Sequence, residues 1–165
     1  MKAPICDVCL TSDILCKADK EKMEKGIISE SDVRVSRSIY ELSKHVRPLK
    51  DITIKKVIET NNLVVIVCKE GDASKIIGKS GVIVKKLSKH LGKTVRVIEE
   101  AKDMRDFVQK LLFPTYVLGI NILYTPEKEI YKIKIPKKRA NINTKSLEEI
   151  IKKAFGVEAK IVPCS

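Results

Sequence analysis

Three cysteines crowd the start of the chain, Cys6, Cys9 and Cys16, within the run CDVCLTSDILCKAD. Two thiolates in a C-x-x-C pair on a turn can grip one tetrahedral zinc ion, and a third after six intervening residues adds another sulfur. The closing C-x-x-C of a four-cysteine site is missing, because Asp19 stands three residues after Cys16. A carboxylate also completes a zinc site. Three cysteines and Asp19 around one structural zinc ion are therefore expected, with Asp13, His45 and Cys164 as other candidates for the fourth place. Nothing nearby supplies an open coordination position with a general base. The chain has five cysteines, and an odd number with three clustered reads as metal binding rather than disulfides. The competing reading is three reduced cysteines without metal. No βαβ pattern surrounds the pair, so a thioredoxin-type redox role is not expected.

A second stretch with chemistry in it is KIIGKSGVIVKKL, Lys75 to Leu87. Glycines let backbone approach a ligand closely, and a glycine turn that opens a helix aims free N–H groups at an anion. ASKIIGKS falls one glycine short of the ATP-binding P-loop pattern, with Ala73 in its place. A P-loop is an extended loop between strand and helix, whereas Ser74 to Ile77 reads as a short helix. The remaining readings are a nucleic-acid clamp or a plain turn between two helices.

Lys plus Arg number 33 against 21 Asp plus Glu, a net charge of +12. That excess favours a polyanion partner, RNA or DNA, over a balanced thermostable surface. Aromatic residues make up only 4%, too few for a stacking platform. No apolar run is long enough to span a bilayer, and MKAPIC does not open a signal peptide, so a cytoplasmic protein without membrane association is expected. His45 and His90 fall on expected helices without a partner nucleophile. Glu99, Glu100, Asp103 and Asp106 read as helix-start and surface charge.

These residues need elements to hold them. Residues 1–28 form a cysteine-bearing head with a short charged helix ending at Gly26. SESDVRVSRSIYELSKHVRP is a helix with Ser31 and Asp32 as cap candidates, Val35, Ile39, Leu42 and Val46 on one face, and Pro48 as its stop. DITIKKVIET and NLVVIVCKE, split by NN, read as a hairpin. DASKII is a short helix, VIVKKLSKHLG a second with Val84, Leu87 and Leu91 inward, and KTVRVIE a strand. The order is α-β-β-α-α-β. From residue 101 it starts again: DMRDFVQKLLFP is a helix, YVLGINILYTP and EIYKIKIP are strands, KSLEEIIKKAFG is a helix and VEAKIVP a strand. VKKLSKHLGKTVRVI aligns with LEEIIKKAFGVEAKIV, a weak internal repeat. INTK, Ile142 to Lys145, falls where GKSG stood.

IIGKSGVIVKKL resembles the signature of the KH domain, and the surrounding αββααβ order resembles its type II arrangement. The resemblance implies an α+β fold: a zinc-binding head at 1–28, a type II KH unit at 29–100 and a degenerate one at 101–165. It implies a single-stranded RNA or DNA ligand of about four nucleotides held by the loop. Gly78 and Gly81 would permit close approach, Lys79 and Ser80 would face phosphates with Lys85 nearby, and Ile76, Ile77, Val82 and Ile83 would wall a groove for bases. Lys137, Lys138 and Arg139 sit near the missing second loop, as contacts or as solvated edge. Two such units in tandem resemble the NusA transcription factors, and DFVQKLLFP is similar to the helix that joins their KH units. That implies a non-enzymatic role in transcription elongation or termination, with RNA polymerase or a related protein as a further partner. Ribosome or RNA-processing work, and a protein adaptor held through the head and second unit, are the alternatives.

Overall fold

In the computed structural model, residues 1–137 and 143–164 are described. The fold is α+β, and the chain forms two compact units, residues 1–59 with 63–100 and residues 60–62 with 101–165.

The first unit opens with two short helices, α1 (Asp7–Thr11) and α2 (Lys17–Glu24), and continues into α3 (Glu30–Ser43). Ser29, not Ser31, caps α3. Its hydroxyl accepts from Asp32 N–H while Asp32 Oδ2 accepts from Ser29 N–H, a reciprocal pair that satisfies two backbone donors at once. The other carboxylate oxygen of Asp32 accepts from Val57 N–H at 2.7 Å, which ties the helix start to β1 (Ile54–Glu59). β2 (Leu63–Cys68) pairs antiparallel with β1, and β3 (Thr94–Glu99) pairs parallel with β2. Between β2 and β3 run α4 (Ala73–Ile77) and α5 (Val82–Leu91). Val35, Ile39, Leu49, Ile66, Ile76 and Leu87 are among the side chains that fill this core.

The head does not stand apart as a separate 1–28 body. Ile5, Cys9, Leu10 and Ile28 pack with Val33 of α3 in a second cluster that Tyr40 also joins. Lys2 bridges Thr53 beside β1 through backbone bonds to Ile52 and Ile54 of 2.8 Å each. The reason is apolar area: a head this small cannot close a core by itself, and α3 supplies the missing wall.

The second unit holds α6 (Met104–Leu112), β4 (Gly119–Tyr124), β5 (Glu129–Pro136), α7 (Thr144–Phe155) and β6 (Glu158–Cys164). Its sheet repeats the first: β4 and β5 antiparallel, then β5 and β6 parallel. α5 and α7 both end on a left-handed glycine, Gly92 at φ 69° and Gly156 at φ 67°. Leu111, Ile133, Ile135, Leu147 and Ile150 are buried, and the rings of Phe107 and Phe155 meet edge to face at 5.2 Å. Lys138, Arg139 and the first residue of INTK lie outside the described residues. Among the described residues, no helix is long and apolar enough to cross a membrane.

Candidate metal centre and glycine loop

Helices α1 and α2 place the cysteine cluster by their starts. Cys6 and Cys16 are the residues before the two helices, and Cys9 lies one turn into the first. The ligand atoms of Cys6, Cys9, Cys16 and Asp19 all lie within 4.8 Å of one another, so the four can hold one metal ion. The sulfur of Cys6 is 3.4 Å from that of Cys9 and 3.8 Å from that of Cys16. Sulfurs sharing one tetrahedral zinc at about 2.3 Å would stand about 3.8 Å apart.

The surroundings suit bound thiolates and a carboxylate. Cys16 N–H donates to Cys9 Sγ at 3.0 Å, and Asp19 N–H donates to Cys16 Sγ at 3.4 Å. Asp19 is buried, yet its Oδ2 accepts from Cys6 N–H at 2.9 Å and its Oδ1 from Lys22 at 3.0 Å. Burial works to raise the Asp19 carboxyl, but these donors outweigh it and hold the group well below the usual carboxylate range. Burial pushes the Cys9 thiol up to about 12, so a thiolate there needs a cation beside it. Asp13 and His45, candidates for a fourth ligand in the same unit, do not join the cluster, and Cys164, the other candidate, belongs to the second unit. Cys68 lies on β2, buried, with its thiol pushed up to about 12 by that burial.

The glycine loop joins α4 to α5. Gly78 has φ 76° and ψ 171°, Ser80 has φ 56° and Gly81 has φ 74°. A left-handed serine is a strained choice that persists where the surroundings impose it, and such residues cluster at functional sites. Lys79 and Ser80 point into solvent. Each of the other helices of at least eight residues among those described begins beneath a side-chain acceptor: Cys16 for α2, Ser29 for α3, Asp103 for α6 and Asn143 for α7. α5 begins after Gly81 without one: Val82 N–H donates to Lys79 O, and no side chain caps the first-turn N–H groups behind it. Lys79, Lys85, Lys86 and Lys89 are exposed, and no described carboxylate pairs with them.

Two residues expected in the base groove belong to the core instead. Ile76 is wholly buried, and Ile83 is 8% exposed with its side chain folded back over Gly78. The turn sends one face of each helix inward, and Ile76 and Ile83 fall on those faces. Val82 is 49% exposed and Ile77 half-buried, so these two stay at the surface. The helical conformation of Ala73 to Ile77 also denies this segment the loop a P-loop requires.

The remaining charged candidates are structural. Asp103 caps α6, Asp106 pairs with Lys110, Glu99 accepts from Gly71 N–H and Glu100 pairs with Lys55. His45 and His90, far apart in sequence, line one cleft of about 330 Å³ between α3 and α5 with Glu41 and Lys86. Helical spacing alone could not pair residues on two helices, so the sequence carried no signal for this cleft. In the second unit Asn143 caps α7 through Lys145 N–H, and Lys137 N–H donates to Cys164 O.

No family model matches the chain, and no curated protein does. It is similar to the crystal structure of APE1850, at 26% identity and a TM-score of 0.59, over 78% of this chain and 96% of that one. This likeness gives the architecture, and what the chain binds has to come from the site.

Proposed function

We propose that this chain is a non-enzymatic, cytoplasmic single-stranded-RNA-binding protein of the KH type, NusA-like, acting in transcription elongation or termination. The observation that carries it is the loop from Gly78 to Gly81: left-handed, glycine-flanked, opening onto an uncapped α5 and ringed by unpaired lysines. Such a turn can bring backbone N–H groups against a phosphate while Lys79 and Lys85 neutralise its neighbours. Ile77 and Val82 would offer the apolar surface for bases. In the same reading the cysteine cluster holds one structural zinc ion, with Cys6, Cys9, Cys16 and Asp19 as ligands.

Lys79→Asp combined with Ser80→Asp tests the loop. Both positions face solvent, so the fold should survive, while one positive charge is replaced and two negative ones appear where phosphates would sit. Titration of labelled single-stranded RNA at several salt concentrations should show most affinity lost. The log–log salt slope should fall by about 0.7 for each phosphate contact removed. Diffuse attraction by the +12 surface predicts only a modest loss. A well-folded double variant that binds as tightly as the parent overturns the proposal.

A further inference from the structure

Sheet edges invite stray pairing, and proteins guard them with charges, proline, irregular register or a covering segment. Three of the four edges among the described strands have such a guard. β1 carries Lys55 and Lys56, a register shift between Ile54 and Lys56, and the bridge from Lys2. β3 carries Arg96, and β6 carries Lys160 and Pro163. β4 reads GINILY, without charge or proline and in unbroken register with β5. Its Ile122, Leu123 and Tyr124 are 40%, 42% and 71% exposed.

The ladder fixes which groups are open. Thr125 N–H donates to Lys128 O, so Gly119, Asn121 and Leu123 turn their backbone groups toward β5. Ile120, Ile122 and Tyr124 turn theirs outward, away from β5. The side chains of these three share the face of Tyr131 and Ile133. On the opposite face Asn121 stands beside Lys132, Lys132 beside Lys160, and Gly119 beside Lys134. Adjacent Lys132 and Lys160 oppose each other with like charge, which is unfavourable by itself. Glu158 shares that face, but Lys128 and Lys152 already engage it.

We propose that β4 is a docking edge for an extended segment of a partner protein in which acidic and apolar residues alternate. An added strand would lie about 4.8 Å from β4 and take up its outward N–H and C=O groups. Its apolar side chains would cover Ile120, Ile122 and Tyr124. Its acidic side chains would lie beside Gly119 and Asn121, small enough to leave the ammonium groups of Lys134 and Lys132 within reach. RNA supplies neither a matching ladder nor an apolar face. A second copy pairing through β4 would set two lysine faces side by side. The proposal concerns the second unit and does not depend on the glycine loop.

The test uses the full chain and an octapeptide alternating valine and glutamate. Hydrogen exchange should slow at the amides of Ile120, Ile122 and Tyr124 when the peptide is added. Affinity should exceed that for a valine–lysine octapeptide by at least about tenfold, since like charges at an interface repel strongly. Lys132→Glu with Lys134→Glu should invert that preference. Ile122→Pro should abolish binding and leave β5 amides protected, because the lost N–H points outward. Absence of protection at these amides, or binding indifferent to peptide charge, overturns the proposal. So does protection that grows with protein concentration alone, which assigns the edge to a second copy, or protection by single-stranded RNA in place of peptide.

Discussion

A Cβ added to Gly78 would fall 2.6 Å from Cγ1 of Ile83, whereas one on Gly81 would meet Val84 Cγ1 at 3.7 Å and Lys85 Cε at 3.9 Å, both ordinary contacts. The two glycines look equivalent in the sequence, and the difference is legible only once Ile83 folds back. Gly78→Ala combines a backbone region reserved for glycine with overpacking, and should cost about 3 kcal/mol in urea unfolding. Gly81→Ala should cost about 1–2 kcal/mol, the strain of a left-handed alanine, and weaken RNA binding. If both variants unfold at the same urea concentration, the packing of Ile83 on Gly78 is not as described. The cluster able to hold a metal was more legible than the loop walls, because C-x-x-C spacing is local and needs no knowledge of the core. Spacing after Cys16 also put Asp19 ahead of Asp13, and Asp19 is the carboxylate found beside the three sulfurs. Asp19→Ala removes the acceptor of Cys6 N–H together with the proposed fourth ligand. Stoichiometric zinc by elemental analysis should drop, and an unchanged zinc affinity would hand the fourth place to another group.

The order of helices and strands was legible almost throughout, since hydrophobic period and glycine stops are written locally. What was not legible is how elements fasten to one another. Asp32 looked like a cap candidate but serves as the third helical residue and also holds β1 through Val57. Ser29→Ala should cost about 1 kcal/mol as an ordinary cap loss. Asp32→Ala should cost about 2–3 kcal/mol more, because it orphans Val57 N–H in the interior. Equal losses in chemical denaturation would refute the fastening role. At the far end of β1, Glu59 gathers Ser31, Arg34 and Lys93. Burial favours its protonated form, but the bonds from Arg34, Lys93 and Ser31 win and lower it from 4.5 to about 2. A depressed carboxyl stabilises the fold above its unfolded value and loses that contribution as pH falls through the folded one. Stability should therefore drop between pH 4.5 and about 2, by at most about 3 kcal/mol from this group. The Glu59→Gln variant should be less stable at pH 7 and show a flatter acid limb.

At the scale of the molecule, composition indicated a polyanion partner and the repeat showed as two units with one sheet plan. The separateness of the head did not survive, because a core shared with Val33 and Tyr40 leaves no trace in local pattern. A chelator should therefore loosen more than residues 1–28. Hydrogen exchange is expected to quicken in α1, in α2 and on the head-facing side of α3, and to stay slow in β2. Faster exchange confined to the first 28 residues would contradict the shared core. The parallel pairing of β2 with β3 also has a consequence in time. The hairpin of β1 and β2 closes over the two asparagines, but the chain must run from Cys68 to Thr94 before β2 acquires its other neighbour. The second unit repeats this, with β6 arriving last beside β5. As the polypeptide leaves the ribosome, each unit therefore passes through a stage in which its central strand has one side bare. LVVIVC is the sharper hazard, since all six residues are apolar. Pulse-labelled refolding should protect amides bonded across the hairpin well before those between β2 and β3, and that interval is when this chain is most exposed to aggregation.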